Sequence, residues 1–376
     1  MTALRVTLLQ PHTAGKEGPD FYHVQVYGLA RHLARQGCAV TVITAALDAT
    51  KTIEQRDGYE VIRLPARFLP LHQTYIPRLI SEIAETQPDV LQAPEIIELL
   101  TLQAGLWARR AGVPFVIWQG HYRFSGKLPA VQRAYMRSLG MRSARLARRI
   151  IAKNTSVEPF LRKLGVSTQK IEFIPVGIDL ESFRSQKAAR LSEVPAAPFL
   201  LNIGQLIPRK NQACLVQAIA KLPSDMRFLI LGRGPEYEAL VRQADDLGVA
   251  DRVLVRTDPI PNSEIAQVYR NAYLMVMPSR YEIFGMTLVE SLACGLPVIA
   301  RREGGMADII SDGISGRLYD GPDAEAIASE VSLLTSNPDL YMQMRVGAER
   351  RAAEFDWKVI VPRFIASYTA AIEERG

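Results

Sequence analysis

The sequence predicts an α/β protein made of two parallel-sheet units. Short apolar runs alternate with amphipathic segments along nearly all 376 residues, the alternation breaks once near 184–198, and it then restarts with a similar period. In the first half, strands are expected at 5–9, 40–44, 60–63, 89–92, 115–118, 150–152 and 171–174. A helix over 22–36 follows the first of them, with Val26, Leu29, Ala30 and Leu33 on one face and Gly37 as its stop. The break, SQKAARLSEVPAAP, is polar and small with two prolines, which suits a linker. Beyond it, strands are expected at 199–203, 227–231, 253–256, 274–277, 297–300 and 316–318. The expected division is 1–190 and 197–356, with the amphipathic end of the chain, 357–376, as a separate helix.

Composition narrows the class. Hydrophobic content of 48% and charged content of 22% are those of an ordinary globular chain. No apolar run reaches the ~18 residues of a membrane span, and the opening MTALRVTLLQ reads as a strand rather than a secretory signal. Cys38, Cys214 and Cys294 are far apart and fit neither a disulfide pattern nor a metal spacing. A cytoplasmic location is the expectation. The net charge of +6 is uneven: the window 101–150 holds ten lysines and arginines and no carboxylate. Either a solvated cationic face or a surface for an anionic partner would produce this. Nucleic acid is disfavoured as that partner, because no helix-turn-helix, RNP or zinc pattern accompanies the charge.

The most informative stretch is PSRYEIFGMTLVESLACGLPVIARREGGMADI, residues 278–309. Glu282 and Glu290 stand on either side of Phe284 and Gly285, which open a helix striped by Leu288, Val289, Leu292 and Ala293. Gly295, Leu296 and Pro297 stop it. Glycine at 285 admits a ligand close to the backbone, and the first amides of a helix, backed by its dipole, favour a diphosphate. Carboxylates before the turn and inside the helix can accept hydrogen bonds from pairs of hydroxyls. An ordinary amphipathic helix before a buried strand accounts for Leu288 and Val298. It does not account for the charged loop, the spaced glutamates and the Gly304–Gly305 pair.

This segment resembles the E-x7-E motif of the retaining, family-four glycosyltransferases, which have the two-Rossmann (GT-B) fold. The resemblance extends over nearly the whole chain. It implies two Rossmann-like domains facing each other across a cleft, with the last helix, 357–376, returning to the first domain. It implies transfer of a sugar from a nucleoside-diphosphate sugar to an acceptor hydroxyl with retention of configuration. The acceptor would belong to an envelope glycolipid, a polysaccharide precursor or another glycoside. No cofactor is expected, and no metal, since the sequence has no Asp-x-Asp motif.

Residue by residue, the resemblance assigns Glu290 to the ribose hydroxyls and Glu282 to hydroxyls of the transferred sugar. Backbone near Phe284, Gly285, Met286 and Thr287 would hold phosphate and sugar. In NIGQLIPRKNQACLVQAI, Gly204, Leu206 and Lys210 match the family, while Gln205 stands where its arginine is expected; Arg209 is the replacement offered. Both cations would neutralise charge on the leaving phosphate. His121, past the strand in VPFVIWQGHYRF, would face the sugar. Gly232 and Gly234 resemble the nucleotide-proximal G-x-G-P loop, and Gly15 and Gly18 lie in the first strand-to-helix turn. Asp179 and Phe183 read as architectural. The basic segment 123–149 (Lys127, Arg133, Arg137, Arg142, Arg145, Arg148 and Arg149) is either a solvated face or a surface that docks on anionic lipid and presents a lipid-linked acceptor. A peripheral position on the inner face of the membrane would follow from the second reading.

Other functions remain open. A non-catalytic, transferase-like binding subunit is countered by the intact Glu282, Glu290 and Lys210. A sugar-nucleotide epimerase would keep the fold and change the reaction, and a phosphorylase would need a longer chain. A dinucleotide-dependent dehydrogenase is weak, because the first turn, PHTAGKEGPDF, lacks G-x-G-x-x-G.

Overall fold

In the computed structural model, which describes residues 3–11, 25–46, 50–69, 73–123, 129–184 and 198–374, the alternation becomes two large sheets, one in each of two units, beside a small two-stranded one. One unit comprises residues 1–177 and 357–376, the other 178–356.

The first unit holds β1 (Arg5–Gln10), β2 (Ala39–Ala46), β3 (Thr52–Arg56), β4 (Tyr59–Pro65), β5 (Arg67–Leu69), β6 (Gln73–Tyr75), β7 (Val90–Ala93), β8 (Phe115–Gln119), β9 (Arg149–Ala152) and β10 (Ile171–Phe173). Eight of these form one sheet in the order β10-β9-β8-β7-β1-β2-β4-β3. Pairing is parallel throughout except for β3, which runs antiparallel to β4 at the edge. The strand order reverses between β1 and β7, and such a switch point is where ligands meet open α/β sheets. Both faces of the sheet are covered, so β7 and β8 are buried along their whole length.

The second unit holds β11 (Phe199–Ile203), β12 (Arg227–Leu231), β13 (Val253–Arg256), β14 (Leu274–Met277), β15 (Val298–Arg301) and β16 (Gly316–Tyr319). They form an all-parallel sheet in the order β13-β12-β11-β14-β15-β16. This is the order of a Rossmann dinucleotide fold, with its switch point between β11 and β14.

The helix Trp357–Glu373 packs in the first unit, as the sequence suggested. Trp357 lies so close to Gly28 and Gly177 that a Cβ there would sit 2.9 Å and 2.3 Å from its ring atoms. Farther along, Phe364 meets Trp118 edge-on at 5.4 Å and Tyr368 donates to Gln92 Oε1 at 2.6 Å. Arg148 donates to the Ala371 carbonyl at 2.8 Å and Arg149 pairs with Glu374. Two of the arginines in the basic segment therefore anchor this helix. Arg133, Arg137, Arg142 and Arg145 are exposed on the helical stretch 129–146, and Lys127 lies outside the described residues.

One expectation needs correction. Segment 178–184 belongs with the second unit, not the first. Ile178 N–H donates to the Phe355 carbonyl at 2.8 Å, and Arg270 bonds to the Phe183 carbonyl. Most of the expected linker, 185–197, lies outside the described residues. Strand β3 and the small antiparallel pair β5–β6 carry no apolar alternation and were not anticipated. The first helix is described from Gln25 to Arg35, and residues 22–24 are outside.

Candidate functional site

In the second unit the chemistry gathers at the carboxyl ends of β11 and β14. After β11 the chain makes a single turn of 3-10 helix, Pro208–Lys210, and Asn211 then adopts the left-handed conformation, φ 56°. Asn211 Nδ2 is tied to Asp323 at 3.0 Å, which fixes the turn that projects Lys210. After β14, Arg280 N–H donates to the Arg209 carbonyl at 2.9 Å, so the two loops are hydrogen-bonded to each other.

That bond brings three of the predicted residues together. Glu282 is buried and pairs directly with Lys210, while Arg209 Nη1 stands 3.4 Å from the same carboxylate oxygen. Arg209 also donates to the Tyr281 carbonyl and lies over the Tyr281 ring, 5.9 Å from its centroid. The sequence had assigned the cations to phosphate and the carboxylate to sugar hydroxyls; the fold pairs them with one another.

Gly285, at φ 102°, is the residue before the helix Met286–Ala293 and, having no side chain, puts no cap of its own on the first amides. Few residues other than glycine tolerate that φ. The Phe284 side chain is core, edge-on to Phe355 at 5.9 Å, so only its backbone is left for a ligand. Gly305 holds the turn from behind, because a Cβ there would lie 2.6 Å from Phe284 Cα. Glu290, one turn into the helix, is buried and accepts a 2.7 Å hydrogen bond from Tyr269.

The remaining glycines have a packing reason. A Cβ at Gly232 would sit 1.8 Å from the Gly204 carbonyl oxygen, and one at Gly234 2.2 Å from that of Leu206. The β11 and β12 loops thus approach backbone to backbone. A Cβ at Gly204 would stand 3.4 Å from the Lys210 stem. Gly15 and Gly18 lie outside the described residues.

The first unit has its own cluster, at the ends of β7, β8 and β9. Glu95 is buried and accepts hydrogen bonds from Gly120 N–H at 2.9 and 3.0 Å and from His121 N–H at 3.1 Å. Its carboxylate also stands 3.3 Å from His121 Nδ1 and 3.7 Å from Lys153 Nζ, and Lys153 lies over the Trp118 ring at 4.4 Å. Burial alone would raise the Glu95 carboxyl, but His121, Lys153 and the Gly120 amide outweigh it and hold the group down at about 2. Burial lowers the His121 imidazole while Glu95 raises it, with a net upward result. Glu98, three residues on, is pushed up to about 7 by burial and by Glu95. Sequence reasoning found His121 and missed Glu95, Lys153 and Tyr269. An acid in the apolar run VLQAPEII was the one available signal for Glu95.

Comparison with known proteins matches residues 184–351 to the family described as glycosyl transferases group 1, and residues 23–182 to glycosyltransferase family 4. The D-inositol 3-phosphate glycosyltransferase 1 of Catenulispora acidiphila is 30% identical over 99% of this chain and 95% of its own. The chain belongs to the family-four glycosyltransferases. It is also 31% identical to the D-inositol 3-phosphate glycosyltransferase of Nocardiopsis dassonvillei, over 98% of this chain and 92% of that one. Among solved structures, sucrose-phosphate synthase from Thermosynechococcus elongatus superposes with a TM-score of 0.78 at 23% identity, covering 98% and 99% of the two chains. HepE of Anabaena, solved with UDP and glucose, gives 0.75 at 19%, covering 98% and 100%. The fold of this glycosyltransferase is GT-B, with two Rossmann-like units. No helix among its described residues is long and apolar enough to cross a membrane.

Proposed function

We infer that this glycosyltransferase transfers a sugar from a nucleoside-diphosphate sugar to an acceptor hydroxyl with retention of configuration and without a divalent metal. The observation that carries this reading is the meeting of Lys210, Arg209 and Glu282 beside the start of the helix Met286–Ala293, at the switch point of a Rossmann-ordered sheet. In the transfer, the bond from the anomeric carbon to the β-phosphate oxygen breaks and charge grows on that oxygen. Lys210 and Arg209 would turn from Glu282 to the phosphate, freeing the carboxylate for the hydroxyls of the transferred sugar. The acceptor oxygen attacks from the same face, and its proton passes to the departing phosphate. Glu290, steadied by Tyr269, would read the ribose, and backbone near Gly204, Gly285, Met286 and Thr287 would hold phosphate and sugar.

His121 and its cluster would serve the sugar and acceptor from the first unit. The relatives' names supply an acceptor to test first, a phosphorylated cyclic polyol, alongside lipid-linked acceptors. The exposed arginines at 133, 137, 142 and 145 support an anionic membrane surface as the place where a lipid-linked acceptor would be met.

A panel of UDP, GDP, ADP and dTDP sugars, screened by thermal shift and then by product formation in EDTA, tests the reading. Selective stabilisation by one donor is expected, as is EDTA-resistant transfer to a product whose anomeric proton matches the donor's configuration. Inversion at that carbon, or activity abolished by EDTA and restored by a metal, would overturn the corresponding part. Vesicle binding that ignores anionic lipid content would remove the membrane component.

A further inference from the structure

Glu95 has more hydrogen-bonding work than a structural acid needs. It is reached from the end of β7 and receives two consecutive backbone amides, Gly120 and His121, from the end of β8. The ring of the same histidine turns its Nδ1 toward the same carboxylate at 3.3 Å. Nδ1 is fully buried and its contact with Glu95 is an ion pairing without hydrogen-bond geometry, whereas the side chain as a whole is 41% exposed. The exposed part of the side chain therefore lies away from Nδ1. On the far side Lys153, from the end of β9, faces Glu95 at 3.7 Å and stacks its ammonium on Trp118. One carboxylate thus ties together three adjacent strand ends beside a topological switch point.

We propose that Glu95 is a positioning residue for glycosyl transfer, holding His121 with Nδ1 inward and charge-paired so that its Nε2–H is presented outward as a hydrogen-bond donor. The inference rests on the reading that His121 works at the sugar and acceptor. It adds which atom acts, in which protonation state, and what sets both. The titratable and charged groups facing the ring are Glu95, Lys153 and Glu98. Glu95 favours the charged imidazole, Lys153 opposes it, and Glu98 adds to Glu95 once ionised. The balance raises the imidazole above its usual value, which extends upward the pH range over which Nε2 keeps its proton and donates. A donor is suited to an oxygen on which negative charge grows, such as that of a leaving phosphate or of a strained sugar hydroxyl.

The test is the Glu95→Gln variant with two independent readouts. The first is the His121 ring titration followed by NMR, its signal among the five histidines assigned by its loss in His121→Gln. The second is the pH dependence of kcat at saturating donor. In Glu95→Gln the ring should titrate at lower pH than in the wild type. The alkaline limb of kcat should move down with it, and kcat at neutral pH should fall roughly ten- to a hundredfold with donor KM little changed. Glu95→Asp, which keeps the charge on a shorter stem, should restore much of the titration and part of the rate.

An unchanged ring titration in Glu95→Gln would overturn the pairing, whatever the enzyme's donor proves to be. A ring that titrates lower while kcat stays at the wild-type level across the pH range would overturn the role in transfer. Activity that rises, rather than falls, as His121 loses its proton would make it a base and overturn the assignment as donor. Should Glu95→Gln fail to fold, the wild-type titration still decides the pairing: a His121 midpoint above the usual histidine value is expected, and one at or below it overturns the pairing.

Discussion

Two buried glutamates sit at the switch points of two sheets, and each is surrounded by cations, yet they are held in opposite ways. Glu95 is gripped by main chain: the amides of Gly120 and His121 cannot leave it unless the end of β8 moves. Glu282 has ion pairs with Lys210 and Arg209, both on long side chains that can swing to another anion. The difference separates a group that shapes its neighbours from a group that can exchange partners. A site that must take up a diphosphate and release it needs the second kind. A site that must keep one ring in one orientation needs the first.

The largest effect expected from breaking this comparison is at the exchangeable pair. Lys210→Ala should lower kcat roughly a hundred- to a thousandfold, the range seen when one fixed donor to a growing charge is removed. The partner left behind matters as well. Without Lys210 the buried Glu282 loses its direct ion pair, for which Arg209 at 3.4 Å compensates only in part, so Glu282→Gln placed on Lys210→Ala should recover part of the lost stability but not the rate. Steady-state kinetics and urea denaturation on the two variants separate these contributions. A Lys210→Ala enzyme with wild-type kcat would show that Lys210 serves only to neutralise Glu282.

The second way to sharpen the comparison is pH, because the first unit contains two glutamates shifted in opposite directions. Glu95 is lowered from 4.5 to about 2, so its contribution to stability is present above pH 4.5 and lost as pH falls toward 2. Glu98 is raised from 4.5 to about 7, so its contribution is present below pH 4.5 and lost as pH rises toward 7. Each swing is on the order of 3 kcal/mol. Glu98→Gln should therefore leave stability at pH 4 nearly unchanged and raise it at pH 8. Urea midpoints taken from pH 4 to 8 would show the wild-type decline flattened in the variant. A parallel decline in both proteins would mean that Glu98 titrates normally.

How much of this was legible in the sequence depends on how local the cause was. Strands such as FVIWQ and LMVM announce themselves because both faces of a parallel strand are buried. Strand β3, TIEQR, does not, since it is an antiparallel edge with little to bury. Glu282, Gly285 and Glu290 could be read together because one loop and one helix carry them all. Glu95 and His121 are 26 residues apart on separate strand ends, and nothing periodic joins them. The pairing of Lys210 with Glu282 bridges 72 residues, so both were recognised while their contact was not. The glycines at 232 and 234 were read as ligand-proximal from their motif. Their packing against the carbonyls of Gly204 and Leu206 became visible only in three dimensions.

The smallest predicted effect tests whether the exchangeable site also contains a fixed member. Glu290 is one turn into its helix, buried, and bonded by Tyr269, which is itself fully buried on the helix Asn262–Asn271. Tyr269→Phe removes a single hydroxyl without opening a cavity, so the loss should be that of one hydrogen bond to a charged group, roughly 1.5–3 kcal/mol at most. If Glu290 reads the ribose, part of that loss should appear as a severalfold rise in donor KM, with kcat nearly constant, because an interaction made equally in ground and transition states changes KM alone. The same variant assayed with a 2′-deoxy donor should show a smaller rise, since the hydroxyl that a misplaced carboxylate fails to meet is already gone. An equal rise with both donors would detach Tyr269 from ribose recognition and leave it as a packing residue.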